Sequence, residues 1–442
     1  MHVIFDILYA AGLVAATPVL AIKSLRTGKY RTDWPARFGR YAQQATLKPA
    51  GMYRLMFHCV SVGELLSMRK LVDGLLAADA ALQIIITTTT DTGTARAREL
   101  YAGNPRVMCY RYPLDFSFAV EAFLDHAQPD AIALVELEVW PNFVNIAVDR
   151  RIPVCIINGR ITERATRRYR VVKPIIAAAL QRLAFIAAQT ATIAERFKQL
   201  GAPAERIEIV PTIKYDSADF SDSIAGAETL AEACGIEQGH KLFVAGSTAP
   251  GEEGPVLEAY LALRDQHPGL RLAIAPRKPE TVPGTLAAIA AAGLRPVQRT
   301  ARPDGAEGRA LEASEVLVLD TMGELKKLYS LATAVFVGRS LVDLGGSDMI
   351  EVAALAKPLC FGPHTQNFAE AVELLLSNQA AVLVRDGATL TATLRAWLAD
   401  GAAARQLGLK ARETVASQRG STTIYLEKLL ALVRMRTSRN GC

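Results

Sequence analysis

Short apolar runs rich in β-branched residues alternate with longer helical stretches, and this alternation occurs twice along the chain. Nothing else in the sequence constrains the fold as strongly. "LMFHCV", "QIIITTT", "AIALVEL" and "PVCIIN" read as strands of a first series. Runs that are apolar throughout belong to parallel sheets covered on both faces. After Lys214 the pattern breaks at "YDSADFSDSIAGAETL", which is small, acidic and weakly periodic, as a linker is. It resumes with "LFVAG", "LRLAIAP", "VLVLD", "AVFVG" and "AVLV". The expectation is two successive doubly wound α/β domains, residues 31–218 and 219–442, with ligands held between them at strand carboxyl ends. A chain of 442 residues exceeds one ordinary core and agrees with that division.

Half the residues are apolar and 21% are charged, a globular balance that excludes a disordered chain. The net charge of +6 favours acidic partners without identifying one. Six cysteines (59, 109, 155, 234, 360 and 442) contain no C-x-x-C pair, which points to reduced structural thiols in a cytosolic compartment. No Cys/His cluster has zinc spacing, so no metal is expected. Residues 1–30 stand apart. "VIFDILYAAGLVAATPVLAI" is almost wholly apolar, broken by Asp6 and Pro18, and long enough to approach a bilayer's thickness. Lys23, Arg26, Lys29 and Arg31 follow it, which suits a membrane anchor with the domains on the cytoplasmic side. Spanning and surface-lying helices both fit, and a buried helix is the plain alternative.

Several charged residues stand at predicted strand ends. "VSVGE" places Glu64 in the first turn of a helix, where a carboxylate favours the exposed N–H groups or serves as a general base. "ELEVWPN" sets Glu136 and Glu138 alternating on a strand end. "GSTAPGEE" has Walker A glycine spacing, but Glu252 and Glu253 stand where Lys and Ser/Thr belong, which excludes a P-loop. The N–H groups of Ser247 and Thr248 suit one phosphate, or either hydroxyl suits a helix cap. "IAPRKPE" brings Arg277 and Lys278 to another strand end, as phosphate ligands or as solvated cations. "DTMGELKKLY" and "LGGSDMIEVAALAKP" put Glu324, Asp348 and Glu351 at helix starts. Asp348 and Glu351 have capping-box spacing, and Glu351 also suits two ribose hydroxyls. Taken in succession, these motifs read as a nucleotide-binding domain. The basic run with Arg160, Arg164, Arg167, Arg168, Arg170 and Lys173 is a solvated face or a contact for anionic head groups. Nucleic acid is not expected, because aromatic interleaving is sparse.

In this order, "VSVGE", "TTTTDTGTARARELY", "YPLDF", "ELEVWPN", "NGRITERATRRY", "IKYD", "GSTAPGEE", "PRKPE", "DTMGELKKLY", "FVGRSLVDLGG" and "GPHTQNF" resemble the 3-deoxy-D-manno-octulosonic acid (Kdo) transferases of lipopolysaccharide synthesis. The resemblance covers most of the chain and implies a GT-B fold, two Rossmann-like domains with a cleft between them. It implies a metal-independent, inverting transfer of Kdo from CMP-Kdo to the anionic lipid A precursor lipid IVA, with no cofactor, at the inner membrane. The first domain would bind the acceptor at the membrane surface, and the second the CMP-sugar donor.

Matched position by position, the resemblance makes Glu64 the proton acceptor, with Glu136 and Lys214 stabilising the transition state. Pro276 and Arg277, then Met322, Gly323 and Glu324, then Asp348, Met349, Ile350 and Glu351 match the CMP-contacting segments, with Glu351 as the ribose ligand. The departures fall mostly on the donor side. Gly345-Gly346-Ser347-Asp348 replaces a usual G-G-H-N, while Ala249 and Lys278 stand where histidines are usual. "PTIKYD" lacks the usual Gly-Asn/Ser pair before the lysine. These changes leave open a different donor sugar, or a binding protein of the same fold without turnover.

Overall fold

In the computed structural model the chain forms two compact units, residues 1–217 with 419–442, and residues 218–418. The described residues are 5–7, 9–15, 17–18, 32–41, 47–305 and 309–439.

The first unit holds a seven-stranded sheet of β1 (Tyr53–His58), β2 (Leu82–Thr88), β3 (Val107–Arg111), β4 (Ala131–Val135), β5 (Val154–Gly159), β6 (Ile186–Ala188) and β7 (Ile207–Ile209). Its spatial order is β3-β2-β1-β4-β5-β6-β7, and every pairing is parallel. β1, β2, β4 and β5 are buried at every position, which is why their sequences run apolar rather than alternate. One core forms around Met56, Ile85, Phe123 and Phe143, and another around Phe57, Ile86, Leu71 and Leu75. Helices therefore cover both faces, as parallel crossovers require.

The second unit repeats the architecture with β8 (Lys241–Thr248), β9 (Leu270–Pro276), β10 (Arg295–Gln298), β11 (Glu315–Val318), β12 (Ala334–Val337), β13 (Leu359–Phe361) and β14 (Val382–Leu383), in the order β10-β11-β9-β8-β12-β13-β14. All its pairs are parallel as well. The predicted doubly wound α/β class is correct for both units. β3, β6, β7, β10 and β13 were not visible in the sequence, because they are three to five residues long and carry no extended apolar run.

The domain division differs from the sequence reading at the C-terminus, where Ser421–Arg439 is a helix of the first unit. Asp216 is the reason. Its carboxylate accepts from Gly420 N at 2.7 Å and from Thr422 N, capping the returning helix beside the end of the first unit. Tyr425, Leu429 and Val433 then enter the core of β1 and β2. The acidic segment after Ser217 is held within the second unit, where Lys326 donates to Asp219 at 2.7 Å.

Residues 5–7, 9–15 and 17–18 of the apolar N-terminal segment are helical. Its remaining residues, including Lys23, Arg26, Lys29 and Arg31, lie outside the described ones. Asp6 docks the helix on the first unit, accepting from Ser117 N at 2.8 Å, Ser117 Oγ at 2.6 Å and Asn142 Nδ2 at 2.8 Å. Tyr9 sets its ring edge on Phe116 and Trp140, at 5.0 and 6.1 Å. Among the described residues no helix is long and apolar enough to cross a membrane.

Candidate active site

The order of the first sheet reverses between β1 and β4, and such a switch point is where open α/β sheets hold ligands. Glu64 follows β1, and Glu136 follows β4. The two strands are paired, His58 opposite Leu134, so both carboxylates rise from adjacent carboxyl ends.

Ser61 caps the helix Val62–Ala78. Its Oγ accepts from Glu64 N at 3.4 Å and donates to Glu64 Oε1 at 2.8 Å, while Val60 N donates to Oε2 at 2.7 Å. This reciprocal cap fixes the Glu64 side chain back over the end of β1. Burial, and then the charge of Glu136, push the Glu64 carboxyl up to about 7 against the pull of its hydrogen bonds. A helix start alone would have kept Glu64 ionised; burial outweighs it.

Glu136 does not continue the strand. β4 ends at Val135, and Glu136 takes a left-handed φ of 63° with its N–H donating to Ile157 O at 3.0 Å. A non-glycine residue there costs about 1 kcal/mol or more, a strain typical of functional positions. The expected strand alternation of Glu136 and Glu138 is therefore replaced by a turn. Trp140 Nε1 donates to Glu138 Oε2 at 3.0 Å, and burial raises Glu138 to about 7, with Glu64 and Glu136 adding to the rise. The WPN turn is braced from below. Asp115 of "YPLDF" accepts from Asn142 N at 3.0 Å and Phe143 N at 2.8 Å, at the start of the helix Pro141–Asp149.

Lys214 lies after β7 at the start of the turn Lys214–Ser217. That turn packs on the helix that Glu64 begins, and Lys70 of the helix donates to Asp216 O at 2.7 Å. Tyr215 is fully buried, and Asn158 Oδ1 receives the Ile213 N–H at 3.2 Å. "IKYD" thus sets a lysine between two core residues, Ile213 and Tyr215, just ahead of a capping aspartate.

The second unit has its own switch point, between β8 and β12. Ser247 and Thr248 end β8 there, Ser247 with a left-handed φ of 55°. Neither caps a helix; the cap residue of the next one, Glu253–Arg264, is Glu252. Glu252 is wholly buried and accepts four backbone N–H groups, from Ala249 (2.9 Å), Arg339 (2.6 Å), Ser340 (2.8 Å) and Leu341 (2.9 Å). The carboxylate that excludes a P-loop instead ties the end of β8 to the end of β12. Gly338 is required at this crossing, since a Cβ on it would lie 2.7 Å from Thr248 Cα.

Pro276 closes β9, and the exposed Arg277 donates its N–H to Thr248 O at 2.9 Å. Met322 is 80% exposed, and Gly323 turns with a φ of 86°. Glu324 receives Arg299 Nε and Nη2, each at 3.1 Å, and these bonds with that of Thr321 hold its carboxyl below the usual range despite burial. Asp348 and Glu351 form no capping box. Met349 is the cap residue of Ile350–Ala354, and Asp348 Oδ1 accepts Ile350 N at 3.0 Å; Met349 and Ile350 are buried, Glu351 exposed. The structure therefore collects Ser247, Thr248, Pro276 and Arg277 at neighbouring strand ends, while Glu324 also serves an internal ion pair.

Sequence reasoning passed over His58. It reads as one more member of a buried strand, yet its ring stacks on Tyr112 at 3.6 Å and its Nε2 lies 3.9 Å from Glu138 Oε2. A histidine closing a buried strand, six residues before Glu64 of the next helix, is the signal that was available.

Comparison with known proteins adds a family. The family model described as 3-Deoxy-D-manno-octulosonic-acid transferase (kdotransferase) matches residues 32–217. A 3-deoxy-D-manno-octulosonic acid transferase of Bordetella pertussis is 30% identical over 91% of this chain and 92% of its own. The Haemophilus influenzae protein of the same description is 29% identical over 98% and 99%. Among solved structures, UDP-GlcNAc 2-epimerase from Neisseria meningitidis bound to UDP-GlcNAc superimposes with a TM-score of 0.60 at 12% identity, covering 86% of this chain and all of that one. That likeness establishes the α/β fold.

Proposed function

The chain belongs to the 3-deoxy-D-manno-octulosonic acid transferase family, and from that premise we propose that it is an inverting glycosyltransferase carrying Kdo from CMP-Kdo to the lipid A precursor lipid IVA. One observation carries the reading. Glu64 and Glu136 leave paired strands at the first unit's switch point, and Glu64 is capped, half-buried and raised to about 7. A carboxyl with that proton affinity suits a base that takes a hydroxyl proton near neutral pH. The acceptor hydroxyl attacks the anomeric carbon as Glu64 receives its proton, and the bond to the CMP phosphate breaks. Inversion needs a single displacement and no second nucleophilic carboxylate. Glu136 favours the oxocarbenium-like sugar, and Lys214 offsets charge on the departing phosphate. No step calls on a metal or a cofactor.

On the donor side, Ser247, Thr248, Pro276, Arg277, Met322, Gly323, Glu324, Asp348, Met349, Ile350 and Glu351 hold CMP. Asp348 replaces the family's usual asparagine, and its bond to Ile350 N gives it a helix-start role that an asparagine side chain would share. The working place is the cytoplasmic face of the inner membrane. Arg164, Arg167, Arg168 and Arg170 are exposed beside Val171, which is 84% exposed, a composition suited to anionic head groups.

The experiment is CMP release from CMP-Kdo by detergent-solubilised protein, with and without tetraacyl lipid A precursor. Acceptor-dependent release that collapses in Glu64→Gln is the expected result. No release from folded wild-type protein would move the assignment to another donor.

A further inference from the structure

The His58 ring is wholly buried, and its Nδ1 lies 3.0 Å from Thr87 Oγ1. The Thr87 hydroxyl has one hydrogen, donated to Phe57 O at 3.2 Å, so it offers His58 a lone pair. Nδ1 therefore carries the ring proton, and Nε2 is a bare acceptor. Among the described residues Nε2 has no hydrogen-bond partner. It faces Glu138 Oε2 at 3.9 Å, the oxygen that also receives the Trp140 N–H. A lone pair and an ionised carboxylate repel in a buried site; one proton between them turns repulsion into attraction.

We propose that Glu138 is a positioning residue for the base, holding a proton toward His58 Nε2 at neutral pH and leaving Glu64 as the charged member of the two. The inference rests on the reading of Glu64 as proton acceptor. Burial keeps the His58 ring neutral, pushing it down to about 3, so the shared proton belongs to Glu138. The charge of Glu64 adds to the rise of Glu138, and a proton taken up by Glu138 meets a partner that waits for it. His58 supplies that partner. Glu64 has instead two donors, Val60 N and Ser61 Oγ, which favour its charged form. The groups facing Glu138 are His58 from β1, Glu64 from the helix after it, Glu136 and Trp140 from its own loop, Tyr112 after β3, and Tyr169 of the helix Glu163–Val171. Glu138 keeps its proton through the reaction; the acceptor's proton goes to Glu64.

The test is infrared difference spectroscopy on full-length protein with carbon-13-labelled glutamate, near neutral pH. The carboxylic-acid C=O stretch of a protonated glutamate is expected in the wild type and lost in Glu138→Gln. Its absence from the wild type, or an unchanged band in Glu138→Gln, overturns the proposal. A second arm uses His58→Phe, which keeps a ring against Tyr112 but removes Nε2. Its acid limb of acceptor-dependent CMP release is expected to move up by about one pH unit, and to return when Glu138→Gln is added. An unmoved limb overturns the proposal; if His58→Phe does not fold, the infrared comparison decides alone. Turnover that survives Glu64→Gln defeats the reading of the base, and the infrared band reports the proton on Glu138 independently of it.

Discussion

Val60 N donates to Glu64 Oε2 at 2.7 Å, so the turn that ends β1 grips the carboxylate that begins the next helix. With Ser61 Oγ on the other oxygen, Glu64 is oriented before any substrate arrives. Glu64→Gln keeps an acceptor for the Val60 N–H and turns its amide NH2 toward the Ser61 hydroxyl, which can accept, while removing the proposed base. Acceptor-dependent CMP release is expected to fall by about 10²–10⁴-fold, with little change in thermal unfolding.

Ser61 both caps the helix and draws the Glu64 carboxyl down. Ser61→Ala is expected to cost about 1 kcal/mol of stability, as cap losses do. With the lowering bond gone, Glu64 moves up, and the acid limb of the rate profile shifts to higher pH. A limb that stays in place would separate Ser61 from the base.

Glu64, Glu138 and Asp115 are all raised to about 7, chiefly by burial. Folded protein therefore binds more protons than unfolded protein between the ordinary carboxylate range and neutrality. The stabilisation is fully present below the unfolded values and is lost as pH rises through about 7. Urea melts are expected to show stability declining toward alkaline pH, and Glu138→Gln is expected to flatten that decline.

Glu252 satisfies four backbone N–H groups while wholly buried. Glu252→Ala leaves them without an acceptor and is expected to cost more than about 3 kcal/mol, with CMP affinity falling alongside. Denaturant titration followed by equilibrium binding of CMP checks both effects.

Asp216 caps the C-terminal helix from two residues beyond Lys214. Asp216→Ala is expected to destabilise the protein by about 1–2 kcal/mol. Hydrogen exchange at Gly420 and Thr422 should rise, since their N–H groups lose the acceptor.

The chain alone determined the class of fold, because parallel strands covered on both faces carry continuous apolar stretches, and the centres of β1, β2, β4, β5, β8, β9 and β12 do. It also marked Glu64, since a carboxylate in the first turn of a helix directly after a strand is a local feature of the sequence. Other matters needed distant residues to meet. Asp6 looked like a flaw in an apolar helix until Ser117 and Asn142 came within hydrogen-bond reach. Glu252 looked like a broken phosphate loop until the end of β12 supplied three of its four donors. The proton affinity of Glu64 was equally invisible. Helix position is local and favours the charge, but burial and the neighbouring Glu136 arise only when β4 pairs with β1. Patterning along a chain records which face a residue must hide; which charges then become neighbours is set by strand order, and the tertiary structure alone decided that.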